Sequence, residues 1–307
     1  MKYLIIGAGG TGGSIAGFLA KAGFDVTLIA RGAHLRAIQD KGLHLETTSM
    51  GTFCVFPTAC SMEEYHDSPD VIFICVKGYS LAQTIPFIRH IAHQNTVVIP
   101  VLNIYGTGSV VQKELPHLLV CDGCIYIVAH IEEAGTIRQM SDIFRVVFGV
   151  RDAKEYRAIL ETVAYDLTTS HIRAIVSSNI QKDALQKFSF VSPMAACGAY
   201  LDINADGMQH EGKGRELFKK LIAEVDTLAK AMGIDFGMDI VNKNLIILDA
   251  LAPTASTSMQ RDLMLKKESE IDGLIFEVVR LAHTYNVELP WYTKIAQAFG
   301  CNISKKL

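Results

Sequence analysis

The sequence predicts an α/β fold in which a parallel sheet, covered by helices on both faces, is followed by an all-helical domain. Short and fully apolar runs alternate with helical patterns in the first half of the 307-residue chain. A glycine-rich turn joins the first apolar run to the first helix, and from about Ser178 onward the pattern is helical almost throughout. Fully apolar strands separated by helices are typical of a parallel sheet buried on both faces.

The first strand, helix and second strand follow one another closely. Residues 3–6 form a short apolar run, and residues 26–29 form the next one. Between them, apolar residues recur at helical spacing, and Gly23 follows the last of them, as glycine does after many helices. The helical apolar residues are Ile15, Phe18, Leu19 and Ala22.

Four later apolar runs are further strand candidates of the first half. They lie at residues 71–76, 96–102, 125–129 and 144–148, and helical segments separate most of them. With the first two strands they predict a doubly wound parallel sheet within residues 1–175.

Residues 176–307 are expected to form the helical domain. One apolar stripe ends at Gly233, and prolines at positions 253 and 290 lie at breaks between helices. The first stripe contains Leu217, Leu221, Ile222, Val225, Leu228, Ala229 and Met232, and a second contains Leu274, Val278, Leu281 and Ala282.

Composition and charge exclude several function classes. The net charge of −3 gives no sign of a nucleic-acid or membrane-surface binder, and no apolar run reaches the roughly 20 residues of a membrane span. Seven scattered cysteines are typical of reduced thiols, so a cytoplasmic protein without a disulfide framework is expected. Cys121 and Cys124 form a CxxC pair, but no second pair stands at a metal-binding spacing, and we expect no metal site.

The glycine-rich turn has the spacing GxGxxG after a strand and before a helix, which predicts a Rossmann-like dinucleotide site. Gly7 permits the tight turn, Gly9 lets the backbone approach a pyrophosphate, and Gly12 lets the helix pack on the strand. Gly10 and Thr11 complete the loop, and the helix N-terminus supplies N–H groups for phosphates. The structural alternative is a strand-to-helix turn without a ligand.

Arg31 decides between the two nicotinamide dinucleotides. Binders of NAD usually carry an acidic residue at the end of the second strand, and this chain has Arg31 followed by Gly32 instead. A guanidinium suits a 2′-phosphate through paired, charge-assisted hydrogen bonds. NADP(H) is therefore the expected cofactor; the alternative for Arg31 is a solvated surface side chain.

Polar residues follow two of the predicted strands. Lys77 comes after residues 71–76, and Asn103 comes after residues 96–102. Ligands of open parallel sheets bind beyond the carboxyl ends of the strands, so both side chains are candidates for contacts with a cofactor or substrate. The alternative is that both merely begin exposed loops.

The helical domain is expected to supply a proton donor, which carbonyl reduction needs at the developing alkoxide. Lys187 is a candidate within an apolar helix, although a lysine there can also extend along the surface to water. Ser269 and Asp272 have capping-box spacing, which places Glu270 in the first turn of a helix. An acidic residue there is favourable for the helix dipole alone.

These residues together resemble the ketopantoate reductases (2-dehydropantoate 2-reductases) over nearly the whole chain. The resemblance includes the glycine loop, an arginine-glycine after the second strand, a valine-lysine at a strand end and an asparagine after the next strand. A Lys-Phe pair follows in a helix of the second domain. The most specific part is the SMQ-D…E-I-D pattern, here Ser258-Met259-Gln260-Arg261-Asp262 through Glu270-Ile271-Asp272.

The resemblance implies NADPH-dependent reduction of a 2-keto acid with Lys187 as general acid. It implies that Glu270 orients Lys187 and keeps it charged, since a nearby opposite charge favours the charged form. It also places Glu270 among the residues that contact the cofactor. Ser258 would bind the substrate carboxylate, and Asp262 belongs to the same substrate-binding pattern. Lys77 and Asn103 would hold the nicotinamide ribose and the substrate.

The chain departs from the family where substrate is contacted. Family members carry asparagines four and eight residues after the lysine, where this chain has Val191 and Ala195. Ile104 replaces a common glycine and Leu185 a common tryptophan. A shifted and more apolar 2-keto acid is therefore expected.

Three alternatives stay open at this stage. They are ketopantoate reductase itself, a different 2-hydroxy-acid or opine-type dehydrogenase, and a catalytically idle NADP-binding regulator. The expected partner is a small 2-keto acid, with neither nucleic acid nor membrane, and a homodimer is compatible with the sequence.

Overall fold

The computed structural model of the protein describes residues 1–301, which form two compact units. The first unit comprises residues 1–102 and 106–183, and the second comprises residues 103–105 and 184–301 of the described chain. The division at Asp183 lies inside a helix, beyond residue 175 where the sequence analysis places the boundary. Asn103–Tyr105 also belong to the second unit, although their neighbours on both sides belong to the first.

The first unit is built on a six-stranded sheet in the order β5-β2-β1-β6-β7-β8, and every neighbouring pair in it is parallel. Its strands are β1 (Lys2–Ile6), β2 (Asp25–Ile29), β5 (Thr58–Cys60), β6 (Val71–Ile74), β7 (Val97–Pro100) and β8 (Leu119–Val120). The predicted parallel sheet is therefore confirmed.

Both faces of this sheet are buried, which explains why its strands are apolar throughout. Successive side chains of a strand point to opposite faces. Tyr3 and Ile5 of β1 therefore belong to one hydrophobic core, and Leu4 and Ile6 belong to another. The helices of this unit are α1 (Gly10–Lys21), α2 (Gly32–Lys41), α3 (Leu81–Ile91), α4 (Thr107–Glu114) and α5 (Ile159–Thr169).

Two smaller sheets complete the first unit, and they correct part of the sequence analysis. One has the order β10-β11-β3-β4, with strands β3 (Leu43–Thr47), β4 (Gly51–Val55), β10 (Ala129–Glu133) and β11 (Thr136–Gln139). The other has the order β13-β12-β9, with strands β9 (Asp122–Tyr126), β12 (Arg145–Gly149) and β13 (Arg173–Val176).

The runs at residues 125–129 and 144–148 thus lie outside the parallel sheet, and β9 pairs with β12 in antiparallel fashion. An apolar run indicates burial but not the sheet in which a strand pairs. Strands such as β10 and β4 are largely exposed or half-buried, so they carry no apolar run that would reveal them.

The second unit is helical, as predicted. Its helices are the later part of α6 (Ile180–Leu201), α7 (Asp206–Gln209), α8 (Lys213–Ala231), α9 (Ile240–Asp249), α10 (Ser258–Met264), α11 (Glu277–Thr284) and α12 (Pro290–Ala298). The predicted stripe from Leu217 to Ala229 is buried on α8, and Gly233 follows that helix with a φ of 76°. A π-helical turn, Asp272–Phe276, runs directly into α11.

None of the helices formed by residues 1–301 has the length and apolar character needed to cross a membrane. Within the same residues, no group of three or more His, Cys, Asp or Glu side chains could hold a metal ion. Cys121 and Cys124 are both buried and neither forms a disulfide. Burial raises the pKa of the Cys121 thiol to about 12, which is opposite to the shift that a reactive thiol needs.

Candidate active site

The glycine-rich loop of the first unit connects β1 to α1. Gly7 has a φ of 104°, and a Cβ atom there would lie 3.0 Å from the carbonyl oxygen of Cys75. Both the backbone conformation and the close approach require glycine at this position. Helix α1 then begins at Gly10, with Gly9 as its N-cap and without a side-chain hydrogen bond to the cap.

Gly9 and Gly12 differ in what surrounds them. A Cβ atom on Gly12 would overlap the carbonyl of Gly7, so the helix and the loop pack without room for a side chain. A Cβ atom on Gly9 would meet no protein atom within 4 Å. Gly12 therefore serves packing inside the loop, whereas the space beside Gly9 is open to a ligand at the N-terminus of α1.

Gly10 lies against the second sheet. A Cβ atom on it would overlap the backbone at Ala129 and His130 of β10, and one on Gly13 would lie 2.7 Å from the side chain of Ile137 in β11. The hairpin formed by β10 and β11 therefore covers the first turn of α1. Thr11 is half-buried in the same turn.

Arg31 is the N-cap residue of α2 and follows β2 by two residues. Its side chain is exposed, and no hydrogen bond or ion pair of its guanidinium occurs within the described part of the chain. The arginine is thus available to an external anion at the end of the second strand.

Lys77 lies farther from its strand than the sequence suggests. Strand β6 ends at Ile74, and Lys77 is the half-buried N-cap residue of a short 3₁₀ helix, Gly78–Ser80. The apolar residues Cys75 and Val76 extend the run without continuing the strand, which accounts for the longer prediction.

In the second unit, the side chains of Lys187 and Asn103 are joined by a hydrogen bond. Lys187 Nζ donates a hydrogen bond of 2.6 Å to Asn103 Oδ1, across a sequence separation of 84 residues. Lys187 is half-buried on α6 and Asn103 is exposed. The ring of Tyr105 packs beside that of buried Phe188 at 6.2 Å between centroids, which fixes the short Asn103–Tyr105 segment against α6.

Glu270 is buried, with 5% of its surface exposed, two residues before the π-helical turn. Its backbone carbonyl accepts a hydrogen bond of 2.9 Å from the amide of Leu274. The hydroxyl of Ser192 on α6 donates to the carbonyl of Leu274 at 2.6 Å. The turn after Glu270 is thereby tied to the helix that carries Lys187.

The capping box forms at a different place from the one predicted. Thr257 caps α10, where its hydroxyl accepts from the amide of Gln260 and the Gln260 side chain accepts from the amide of Thr257. The carboxylate of Asp272 instead pairs with Arg280 at 2.9 Å. Thr257 and Gln260 fit the S/T-x-x-E/Q pattern of a capping box, whereas Ser269 and Asp272 share only its spacing.

Ser258 and Asp262 both lie on α10, where Ser258 is the first helical residue. Both side chains are half-buried. They are in the same compact unit as Asn103, Lys187 and Glu270, whereas the glycine loop, Arg31 and Lys77 are in the first unit.

Val191 and Ala195 follow Lys187 along α6 by one and two helical turns. Val191 is half-buried and packs against the core of the second unit, and Ala195 is fully buried within that core. This stretch of α6 therefore presents apolar groups, and the part at Ala195 serves packing.

His34 is a residue of the loop region that sequence reasoning missed. Its Nε2 atom lies 2.9 Å from the carbonyl oxygen of Ala8 within the glycine loop, and its Nδ1 atom accepts from the amide of Gly135 at 2.9 Å. Burial lowers the pKa of its imidazole, with the hydrogen bond to Ala8 opposing that shift. No motif marks this histidine, and only its position in the first turn of α2 could have drawn attention to it.

Two family descriptions match the chain. The family "Ketopantoate reductase PanE/ApbA" matches residues 3–153, and "Ketopantoate reductase PanE/ApbA C terminal" matches residues 179–300. Together they cover most of both units.

Individual proteins resemble the chain along its length. An uncharacterized oxidoreductase, YkpB of Bacillus subtilis, is 27% identical over 292 residues, which are 94% of this chain and 95% of that protein. The ternary structure of D-mandelate dehydrogenase with NADH and anilino(oxo)acetate superposes with a TM-score of 0.86 at 22% identity, covering 97% and 96% of the two chains. A dimeric ketopantoate reductase from Staphylococcus aureus has a TM-score of 0.83 at 22% identity, covering 97% of each chain.

Proposed function

The chain belongs to the ketopantoate reductase family of oxidoreductases that act on CH–OH groups, and from this premise we propose that it reduces a 2-keto acid to the 2-hydroxy acid with NADPH. The observation that carries the proposal is the hydrogen bond of 2.6 Å from Lys187 Nζ to Asn103 Oδ1. It holds a cationic proton donor in a fixed direction on α6, beside the buried Phe188.

Lys187 is the general acid of the proposed reaction. When bound, the nicotinamide supplies the hydride that the carbonyl carbon accepts. The ammonium of Lys187 donates a hydrogen bond to the keto oxygen, stabilises the negative charge that develops there, and transfers its proton to that oxygen. The hydrogen bond to Asn103 orients the ammonium of Lys187, which has three donors in all.

Glu270 is the proposed positioning residue for Lys187. It is buried, and the turn that follows it is bonded through Leu274 to Ser192 on the helix of Lys187. A buried carboxylate in this unit favours the charged form of a neighbouring lysine. We assign Glu270 no direct contact with the substrate.

The glycine loop fits a dinucleotide. The space beside Gly9 is open, and α1 begins there without a side chain at its cap, so its first N–H groups are suited to a pyrophosphate. Gly7, Gly10, Thr11 and Gly12 shape the loop around that space. Lys77, half-buried at the start of a 3₁₀ turn, is proposed to bind the cofactor from the carboxyl end of β6.

Arg31 is the reason for proposing NADPH rather than NADH. It is exposed at the N-cap of α2, where it is available to a 2′-phosphate. The solved D-mandelate dehydrogenase contains NADH, so the preference of this chain rests on Arg31 alone. A guanidinium binds a phosphate through two parallel hydrogen bonds, which an unphosphorylated ribose cannot offer.

Substrate recognition is assigned to α10 and α6. Ser258 and Asp262 lie on α10, and the hydroxyl of Ser258 is proposed to bind the substrate carboxylate. Val191 is half-buried and offers an apolar group in place of an amide, whereas Ala195 is buried in the core, so the substrate is proposed to carry an apolar group at C3 that contacts Val191. The resemblance to a dehydrogenase of D-mandelate, itself an aromatic 2-hydroxy acid, is consistent with such a substrate. The alternative is ketopantoate.

A panel of 2-keto acids tests the proposal. NADPH oxidation would be followed optically with ketopantoate, phenylglyoxylate and branched aliphatic 2-keto acids, each at several concentrations. We expect the highest kcat/KM for an apolar 2-keto acid. A kcat/KM for ketopantoate above that of every apolar acid would transfer the assignment to ketopantoate.

We also propose that the protein forms a homodimer and is located in the cytoplasm. The dimeric Staphylococcus aureus enzyme supports a homodimer, which sedimentation of the purified protein at several concentrations would test. A cytoplasmic location stays a prediction from cysteine usage.

A further inference from the structure

The ring of His34 connects three segments of the first unit. It lies in the first turn of α2, one nitrogen is bonded to the carbonyl of Ala8 in the glycine loop, and the other is bonded to the amide of Gly135. Gly135 forms the turn between β10 and β11, with a φ of 87°, and a Cβ atom on it would lie 3.0 Å from the Cβ of Ala37. The histidine thus joins the loop, the hairpin turn and the helix that begins after Arg31.

The hydrogen bonds specify the tautomer of His34. The amide of Gly135 can only donate, so Nδ1 must accept and carries no proton. The proton of the neutral ring is then on Nε2, which donates to the carbonyl oxygen of Ala8 at 2.9 Å. Each nitrogen has one defined role, which is the arrangement of a histidine that holds neighbouring backbone in place.

The bond to Ala8 sets the direction of the next amide. In a planar trans peptide the C=O and N–H groups point in opposite directions. Because the carbonyl of Ala8 points toward His34, the N–H of Gly9 points away from it. Gly9 is the N-cap residue beside open space, so this amide belongs to the surface that faces a pyrophosphate.

Ala8 is buried in the core of the first unit, and the carbonyl of Gly9 accepts a hydrogen bond of 2.7 Å from the amide of Gly13. Glycine has the widest choice of backbone conformations, and Ala8 is enclosed by glycines at positions 7 and 9. A side-chain hydrogen bond to the carbonyl of Ala8 adds to these restraints by setting the orientation of the peptide plane between Ala8 and Gly9.

We propose that His34 is a positioning residue for the cofactor, which holds the Ala8–Gly9 peptide so that the amide of Gly9 faces the pyrophosphate. This inference rests on the proposed function, because it presumes a dinucleotide at the glycine loop. It also links the loop to the β10–β11 hairpin through Gly135.

Two substitutions, each of which reproduces one ring nitrogen, separate the two hydrogen bonds of His34. The amide of a glutamine reaches the position of Nε2, so His34→Gln keeps a donor for Ala8 and loses the acceptor for Gly135. The shorter asparagine places its oxygen near the position of Nδ1, so His34→Asn keeps the acceptor for Gly135 and loses the donor for Ala8. The dissociation constants of NADPH and NADH would be measured by nicotinamide fluorescence, and the Tm of each apo protein by calorimetry.

We expect His34→Asn to weaken both dinucleotides by about tenfold and His34→Gln to weaken them by less than about threefold. Both variants lose one hydrogen bond, so their Tm values should be similar. Equal affinities of the two variants, or affinities that follow Tm, would overturn the positioning role. Wild-type protein that binds neither dinucleotide would instead overturn the proposed function together with this inference.

Discussion

The glycine loop of the first unit and the Lys187 helix of the second unit perform their proposed tasks with different parts of the chain. The loop would bind its ligand through backbone groups. The space beside Gly9 is open, Gly12 is closely packed, and a phosphate would accept hydrogen bonds from backbone amides. The second unit uses side chains, with Asn103 and Lys187 joined across 84 residues of sequence. A backbone site can be recognised as a local spacing of residues, whereas a side-chain site exists only after folding.

The largest expected effect comes from removing the proton donor. Lys187→Ala should lower kcat by about a hundred- to ten-thousandfold, because general acid catalysis contributes that range. The dissociation constant of NADPH should change little, since the glycine loop is in the first unit. Steady-state kinetics and fluorescence titration of the same preparation would check both values.

Lys182→Ala is the matched control for this prediction, because Lys182 is a second half-buried lysine on α6. It should retain the kcat of wild type. A kcat of Lys187→Ala within a few-fold of that of Lys182→Ala would contradict the proposal that the side chain of Lys187 is the proton donor.

Gly9→Ala and Gly12→Ala compare two glycines of one loop. The methyl of Gly9→Ala occupies space that protein atoms leave open, so Tm should stay within a few degrees of wild type. The methyl would prevent a phosphate from accepting charge-assisted hydrogen bonds from the backbone amides, which should weaken the binding of NADPH by roughly a hundredfold.

Gly12→Ala should instead destabilise the fold by about 1–3 kcal/mol, since its methyl would overlap the carbonyl of Gly7. Calorimetry and titration of both variants would check the contrast. A lowered Tm of Gly9→Ala with an unchanged affinity for NADPH would show that no ligand binds in the open space beside Gly9.

Arg31→Ala examines the one side chain on which the choice of nucleotide depends. It should weaken NADPH by about 2 kcal/mol, or roughly thirtyfold, and leave NADH nearly unchanged. Titration with both nucleotides gives the comparison, and Arg36→Ala, an exposed arginine of the same helix, serves as control. An equal loss of affinity for NADPH and NADH would contradict the proposal that Arg31 binds the 2′-phosphate.

The smallest expected effect concerns how Asn103 is held in the second unit. A Cβ atom on Gly273 would overlap the side chain of Ile104, the residue after Asn103. Gly273→Ala should therefore lower stability by about 1–3 kcal/mol and reduce kcat by shifting Asn103. The double variant Gly273→Ala with Ile104→Val removes one methyl from the contact and should recover part of both losses, as measured by calorimetry and kinetics. Additive losses in the double variant would exclude the proposed contact.

The sequence predicts the parallel sheet, the helical second unit and the glycine loop because each has a periodic or local signature. It fails for β9 and β12, since an apolar run does not identify the partner of a strand, and for exposed strands such as β10. It suggests Lys187 and Asn103 separately as candidates, but only the folded chain joins them. His34 escapes prediction because its partners are two backbone groups, which leave no trace in residue types.

The central claim is that the chain transfers a hydride to C2 of a 2-keto acid. Incubating wild-type protein with deuterated NADPH and the preferred acid of the panel, followed by mass spectrometry of the product, tests it most directly. A 2-hydroxy acid with a single deuterium at C2 is the expected result, since the carbon receives the hydride and the oxygen receives the proton of Lys187. Tight binding of NADPH without a deuterated hydroxy acid from any 2-keto acid would contradict the account and favour a regulator that binds the dinucleotide without reducing a substrate.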